Sequence, residues 1–531
     1  MKFFEAIFFK EYKSFVRYFD SDLKKSKITE NLFNSVSFVP DENGIFKTID
    51  GIRCSAVEGK KVDNCLCYHN KNQVFLYNSK INLNKNPRIW FLDIETTAHS
   101  TVDAKRANER IVSIQLLDNY ENINYIISNE PFKPQQTNPY KYDDKEYDFR
   151  LVYFKVDNES QILQRFFDLI SEKMPLIITA YNGDRFDFPY LYKRSQRCGL
   201  KLGFSPFGES QLVEAEGNTY IAQIEAPGVY YIDYLDLYKK FTWGSQPSYA
   251  LDYIAQIEIG ERKVSHSCFR TFDGFRTGEG YVRPQIEPKV EDRVEYILYH
   301  TPDDEIISKS REIFTHYSVI DTYILRNLEN KKKFFGLLIE LGEFFGCNLN
   351  LVLKTTSPWK IYLDREFFKN GIVNNQKREY PKEFVIGGYV ESPTSNKTDW
   401  GFSVDVNSMY PSQIISFNMS PETYIARNEL PQDLRGEIEK LGLENDENEI
   451  LKKFKDNPKI LENYQRLLEK YGFCGTINGV VFKQEPGILP KLVKDIFDER
   501  KKVKKDYLKK LSFLNEIEKE IKSRKIKINL I

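Results

Sequence analysis

The tightest constraint on this chain is the decapeptide Arg88–Thr97, RIWFLDIETT. An apolar run that ends in acids is the pattern of a central strand, apolar along its length and delivering polar side chains only at its end. Asp93 and Glu95 stand two residues apart, so a strand points both carboxylates to one face. Like charges held together repel unless one is protonated or a cation bridges them. Taken alone, D-x-E at a strand end also fits a surface turn or a pair of salt-bridged acids.

Two further segments carry acids in patterned positions. PLIITAYNGDRFDFPYLYKR (175–194) reads as a strand, a polar turn and a helix, with Asn182 and Phe186 in the turn and Asp187 in the first helical turn. An acid there also serves simply to stabilise the helix dipole. Residues 311–345 have a long helical pattern, sufficient for two consecutive helices, in which Tyr317 and Asp321 are four residues apart and share a face. An amphipathic helix with a half-buried tyrosine has the same pattern. Together, the three segments supply four carboxylates, enough to hold two divalent cations about 3.5–4 Å apart. One cation would generate hydroxide and the other would stabilise a leaving 3′-oxygen. An all-oxygen site suits Mg²⁺ or Mn²⁺. Five histidines in 531 residues give no expectation of a histidine-based zinc site. Cys65, Cys67 and His69 lack a matching second pair and read as strand packing.

D-I-E at 93–95, N-x-x-x-F-D at 182–187 and Y-x-x-x-D at 317–321 resemble the three exonuclease motifs of family B DNA polymerases. The resemblance implies a ribonuclease-H-like proofreading domain. Asp93, Glu95, Asp187 and Asp321 would then be its metal ligands, Tyr317 would orient the attacking water, and Asn182 and Phe186 would contact the terminal nucleotides.

A second group of residues resembles part of a polymerase site. SVDVNSMYPS (403–412) is similar to the family's motif A, and an Asp-Asn-Ser turn with a Tyr-Pro cap is its plain alternative. Asp405, expected to close an apolar strand within 401–415, would hold catalytic cations with the backbone oxygen of Val406. The turn at Ser408, Met409 and Tyr410 would meet the incoming nucleotide, Tyr410 excluding a 2′-hydroxyl; Met409 replaces the usual leucine. Residues 490–504 resemble the first fingers helix, where Arg500 and Lys504, four apart on one face, would grip the triphosphate. A basic helix also serves as a solvated or nucleic-acid-facing surface. Gly387, Gly388 and Tyr389 resemble a template-contacting loop. The chain as a whole is similar to the T-even bacteriophage type, DYLDLYKKF (233–241) and MSPET (419–423) included.

The family's second fingers motif, K-x-x-x-N-S-x-Y-G, and its D-T-D palm hairpin do not occur in these 531 residues. The expectation is an N-terminal portion of a split or truncated polymerase. A second polypeptide would carry the remaining fingers, palm and thumb, and a sliding clamp would be reached through it. Primer-template and single-stranded DNA would be its partners, with deoxynucleoside triphosphates once the site is complete. A stand-alone exonuclease and a non-catalytic DNA-binding scaffold are the competing readings. All four exonuclease carboxylates argue against the scaffold, and Asp405, Tyr410, Arg500 and Lys504 argue against a pure exonuclease.

Composition narrows the class without selecting the function. The chain has 77 basic and 77 acidic residues, and 41% of it is hydrophobic. That balance is unusual for a nucleic-acid binder, yet Lys491–Ile531 holds 14 Lys and Arg against 7 Asp and Glu. No apolar run approaches the ~18 residues of a membrane span. Seven scattered cysteines fit a reducing cytoplasm, a host's if the protein is viral. The expected fold is mixed α/β and multidomain. Its divisions would be a β-rich domain at 1–90 rejoined by 345–376, an exonuclease domain at 91–344, a partial palm at 377–484 and partial fingers at 485–531.

Overall fold

The computed structural model describes residues 2–10, 13–63, 65–97, 102–131, 134, 136–215, 219–374, 400, 402–405, 408–441 and 458–523. It divides into two compact units, one made of residues 1–35 and 69–362, the other of 36–68 and 363–531. Both mix helix and strand.

The first unit opens with the antiparallel strands β1 (Lys2–Lys10), β2 (Lys13–Asp20) and β3 (Lys25–Glu30). Arg17 of β2 is wholly buried. Its guanidinium donates to Glu5 at 2.8 Å and to the carbonyls of Met174, Pro175 and Gly228 at 2.6, 3.0 and 2.8 Å. A buried cation is tolerated only when so fully bonded, and removing one partner of such a pair costs about 3–5 kcal/mol. This arginine fastens the N-terminal strands to the body of the unit.

The next strands, β4 (Val36–Pro40), β5 (Phe46–Thr48), β6 (Arg53–Glu58) and β7 (Cys67–His69), form a separate small sheet. The body of the first unit is then built on β8 (Ile89–Thr96), β9 (Ile111–Asp118), β10 (Ile123–Ser128), β11 (Tyr140–Tyr142), β12 (Lys145–Tyr147), β13 (Arg150–Lys155), β14 (Ile177–Ala180), β15 (Gln211–Glu214), β16 (Ala222–Ala226) and β17 (Val229–Asp233). Eight of these make one sheet in the order β13-β10-β9-β8-β14-β17-β16-β15, and β11 and β12 form a hairpin apart. β8 is central, antiparallel to β9 and parallel to β14. A strand flanked on both edges and covered on both faces must be apolar almost throughout, which is why RIWFL precedes the first acid. Trp90, Phe91 and Leu92 are buried, with Ile162, Phe166 and Ile170 of the helix Glu159–Lys173 in the same core as Trp90 and Leu92.

The helix Ile306–Lys332 packs against β8 and β9. It stops at Lys333, whose φ of +54° breaks the helical path, and Phe334–Phe345 begins at once. The two consecutive helices allowed by the periodicity are therefore present.

In the second unit a parallel strand, β18 (Ile372–Val373), joins β5. Phe38, Cys54, Cys67 and Val373 make its small core, so Cys67 is a packing residue. Further along, the helices Gln432–Leu441 and Pro458–Tyr471 close over a second core of Leu434, Ile438, Tyr464 and Leu468. A helix of 36 residues, Ile488–Ser523, follows. The expected strand within 401–415 is corrected. Phe402–Asp405 are exposed and have no ladder partner among the described residues, and Met409–Ser416 is helical. A strand completes its hydrogen bonds only on a neighbour, whereas a helix completes them within itself.

Candidate active site

Asp93 and Glu95 lie on β8 with their side chains on one face, Glu95 buried and Asp93 partly open to solvent. β14 runs parallel beside β8 and ends at Ala180, where the chain turns sharply before the helix Asp187–Arg197. Asn182 takes φ +68° in that turn, a left-handed conformation that asparagine tolerates better than most residues. Gly183 has no alternative, since a Cβ there would sit 2.6 Å from the Phe188 ring. Asn182 and Phe186 are half-buried and Asp187 is buried in the first turn of its helix. Tyr317 and Asp321 are both buried on the helix Ile306–Lys332. The fold thus gathers the acids of three distant segments against one strand end.

Their electrostatics are coupled. Burial first, then Asp321, pushes the Asp93 carboxyl up to about 8. Glu95 is raised well above the usual carboxylate range by burial, Asp93 and Asp321, and Asp187 by burial and Asp93. Asp321 is raised by burial even though an ammonium group stands against it. That ammonium belongs to Lys263, 2.5 Å from Asp321 Oδ2 and 5.2 Å from the centre of the Tyr317 ring. Burial opposes the charge on Lys263, but Asp321, Tyr317 and Asp93 outweigh it and raise the lysine above its usual range. The Tyr317 phenol is raised by burial and by Glu95 and Asp321, so it keeps its proton.

The residue types fit a cation. Asp321 Oδ1 is buried without a hydrogen-bond partner, and burial raises all four carboxyls, with mutual repulsion adding to it around Asp93. Hard oxygen donors of this kind suit Mg²⁺ or Mn²⁺. As the side chains stand, no three His, Cys, Asp or Glu among the described residues are close enough to grip one ion. Lys263 supplies the positive charge instead.

Sequence reasoning missed two residues here. Lys263 is one of 77 basic residues and nothing near it marks it; its backbone is fixed by an N–H donated to Asp252 at 2.8 Å. Asp233 ends β17, and its carboxylate accepts from the backbone of Asn182 at 3.1 Å, Asp184 at 3.3 Å and Leu235 at 2.8 Å. It also pairs with Arg185 at 3.0 Å. The turn that presents Asp187 is therefore built on Asp233. The signal was DYLDLYKKF, where an acid meets the start of a helix. His316, adjacent to Tyr317, is buried against Tyr142, with ring centres 3.7 Å apart. The Tyr140 and Tyr147 hydroxyls lie 3.2 and 3.4 Å from its ring nitrogens.

The polymerase-like residues lie in the second unit. Asp405 and Tyr410 are exposed, Met409 is 42% exposed, and Ser408 takes φ +53° at the start of the helix Met409–Ser416. That helix packs against Ile488–Ser523, which carries Arg500 and Lys504 exposed one turn apart. Val406, Gly387, Gly388 and Tyr389 lie outside the described residues.

The model of the exonuclease domain of DNA polymerase family B matches residues 48–254, and that of DNA polymerase family B matches 361–528. The chain belongs to DNA polymerase family B. Tyr317 and Asp321 fall between the two matched segments, so their place beside the other acids rests on the geometry. Among family B relatives, the DNA-directed DNA polymerase of Escherichia phage RB69 is 26% identical over 52% of this chain and 27% of its own length. That of Enterobacteria phage T4 is 25% identical over 67% of this chain and 34% of its own. The DNA polymerase of Pyrococcus glycovorans is 25% identical over 66% and 36%. The chain spans about a third of the length of the curated relatives it matches. No helix among the described residues is long and apolar enough to cross a membrane.

Proposed function

We propose that the first unit is a 3′→5′ exonuclease that proofreads DNA, and that the second carries the opening part of a polymerase site. The observation that supports hydrolysis most directly is the set of four carboxyls brought together from three segments, with the ammonium of Lys263 set against them. Asp93, Glu95, Asp187 and Asp321 would hold the divalent cations. Bound there, divalent cations would supply Lewis acidity, activating water and stabilising charge on the leaving 3′-oxygen. The chain's own groups do the rest. Tyr317, protonated, orients the water that attacks the terminal phosphodiester. Lys263 balances negative charge on the phosphate, and Asn182 and Phe186 hold the terminal nucleotide at the mouth.

In the second unit Asp405 and the backbone of Val406 would hold a cation. Ser408, Met409 and Tyr410 would contact the nucleotide, and Arg500 and Lys504 its triphosphate; Gly387, Gly388 and Tyr389 would touch the template. Template-directed transfer needs the family's second fingers motif and D-T-D hairpin, from the same polypeptide or a second one, and any clamp is reached through the completed enzyme. The phage relatives favour a host cytoplasm as its place of work.

The test uses the purified chain with Mg²⁺, a 5′-labelled single strand and a primed template with nucleotides. The expected result is stepwise shortening from the 3′ end without primer extension, reduced roughly a hundredfold or more in Asp93→Ala/Glu95→Ala. Shortening that survives the double substitution overturns the site. Primer extension by this chain alone overturns the incomplete polymerase site.

A further inference from the structure

Trp243 is 98% exposed. It sits between the helices Tyr234–Phe241 and Leu251–Ile259, before Gly244, whose φ of +86° faces open space. An indole carries about 150–250 Å² of surface, mostly apolar, and leaving all of it in water forgoes a large favourable burial.

The segment around it is held in place. The Tyr249 hydroxyl accepts from Gln246 N at 3.2 Å, and the Tyr249 carbonyl accepts from the Tyr181 hydroxyl at 2.6 Å. Lys239 lies 4.8 Å from the centre of the Tyr249 ring. Both attachments lead to the carboxylate site: Tyr181 immediately precedes Asn182, and the following helix carries Asp252, which fixes the backbone of Lys263. On the other side, Asp233 joins the start of the preceding helix to the Asn182 turn.

Two lysines stand close to Trp243 along the chain. Lys239 and Lys240 form the last turn of the helix before Trp243, and Asp236 is paired with Arg185 at 3.0 Å. An aromatic face beside cations is the arrangement that holds single-stranded nucleic acid, because every base can stack and the lysines follow the phosphates. The intervening helix has eight residues, about 12 Å of rise, between Asp233 and the segment that carries Trp243.

We propose that Trp243 stacks on an unpaired DNA base upstream of the 3′ end, feeding the strand into the carboxylate site. This rests on the exonuclease reading for its direction, though not for the binding itself. The base is recognised by its π-face, so the contact is tolerant of sequence.

The experiment titrates the full chain with oligothymidylates of 12 and 3 nucleotides in EDTA, reading tryptophan emission and anisotropy of labelled oligomers. The 12-mer should quench the emission, and Trp243→Ala should remove most of that quenching and weaken binding roughly five- to a hundredfold. Trp243→Tyr should restore most of the affinity. With Mg²⁺, Trp243→Ala should raise KM for the 12-mer far more than for the trimer while kcat changes little. Equal 12-mer binding by wild type and Trp243→Ala overturns the proposal. So does a Trp243-dependent change in sedimentation without DNA, which would make the surface a contact between copies. If the wild type binds through Trp243 yet hydrolyses neither oligomer, stacking stands and the exonuclease reading fails.

Discussion

At the scale of single residues, the decisive contact is Lys263 with Asp321. The ammonium favours the ionised forms of Asp321, Asp93 and Glu95 and opposes the burial that raises them. Replacing it moves those carboxyls still higher. A carboxyl must be ionised to hold a divalent cation. Lys263→Met should therefore shift the acid limb of the exonuclease pH–rate profile to higher pH and lower the rate at neutral pH by about 10–100-fold, an effect of the size seen when groups around a metal's ligands are removed. The profile, measured in Mg²⁺ on a single strand, is the check. An acid limb that stays in place would assign Lys263 to substrate contact alone.

At the scale of elements, the long helix Ile488–Ser523 is capped from afar. Glu422 accepts from Ile488 N at 2.7 Å and Ser420 from Leu489 N at 3.3 Å, while Asn418 accepts from Gly487 N at 2.9 Å and donates to the carbonyls of Lys483 and Glu485. The first N–H groups of a helix have no partner within it, and the MSPET segment supplies them. Removing such a cap costs about 1 kcal/mol. Ser420→Ala/Glu422→Ala should lower the stability of the second unit by about 2 kcal/mol and speed amide exchange at Ile488 and Leu489 first. Unchanged exchange there would mean that packing against Met409–Ser416 fixes the helix start unaided.

At the scale of the whole molecule, the carboxylate site is a source of instability that a bound cation would relieve. Unfolded carboxyls ionise near pH 4, whereas Asp93 in the folded chain does so at about 8. Between those values the folded state holds protons that the unfolded state has released, so metal-free stability falls as pH rises through that window. In EDTA the melting temperature should drop from pH 5.5 to pH 8.5, and the drop should be smaller in Asp93→Asn. Mg²⁺ should raise it more at pH 8.5 than at pH 5.5. A pH response identical in Asp93→Asn and wild type would show that other groups govern it.

How far the sequence reached depended on how far apart the partners are along the chain. β8 was legible because its apolar run and the two-residue spacing of Asp93 and Glu95 are local properties of a strand. The Asn182–Asp187 turn was legible from a polar break between an apolar strand and a helix, and the shared face of Tyr317 and Asp321 from helical periodicity. Each of these depends on neighbours within a few residues, and short-range sterics fix them. The strand expected to end at Asp405 failed for the complementary reason, since a strand's hydrogen bonds need a second strand. Tertiary packing alone brought Lys263 to Asp321, set Asp233 under a turn some fifty residues earlier, and made MSPET a helix cap. Buried charges and orphan N–H groups must find partners, and which distant residue satisfies them is decided only when the chain has closed into its core.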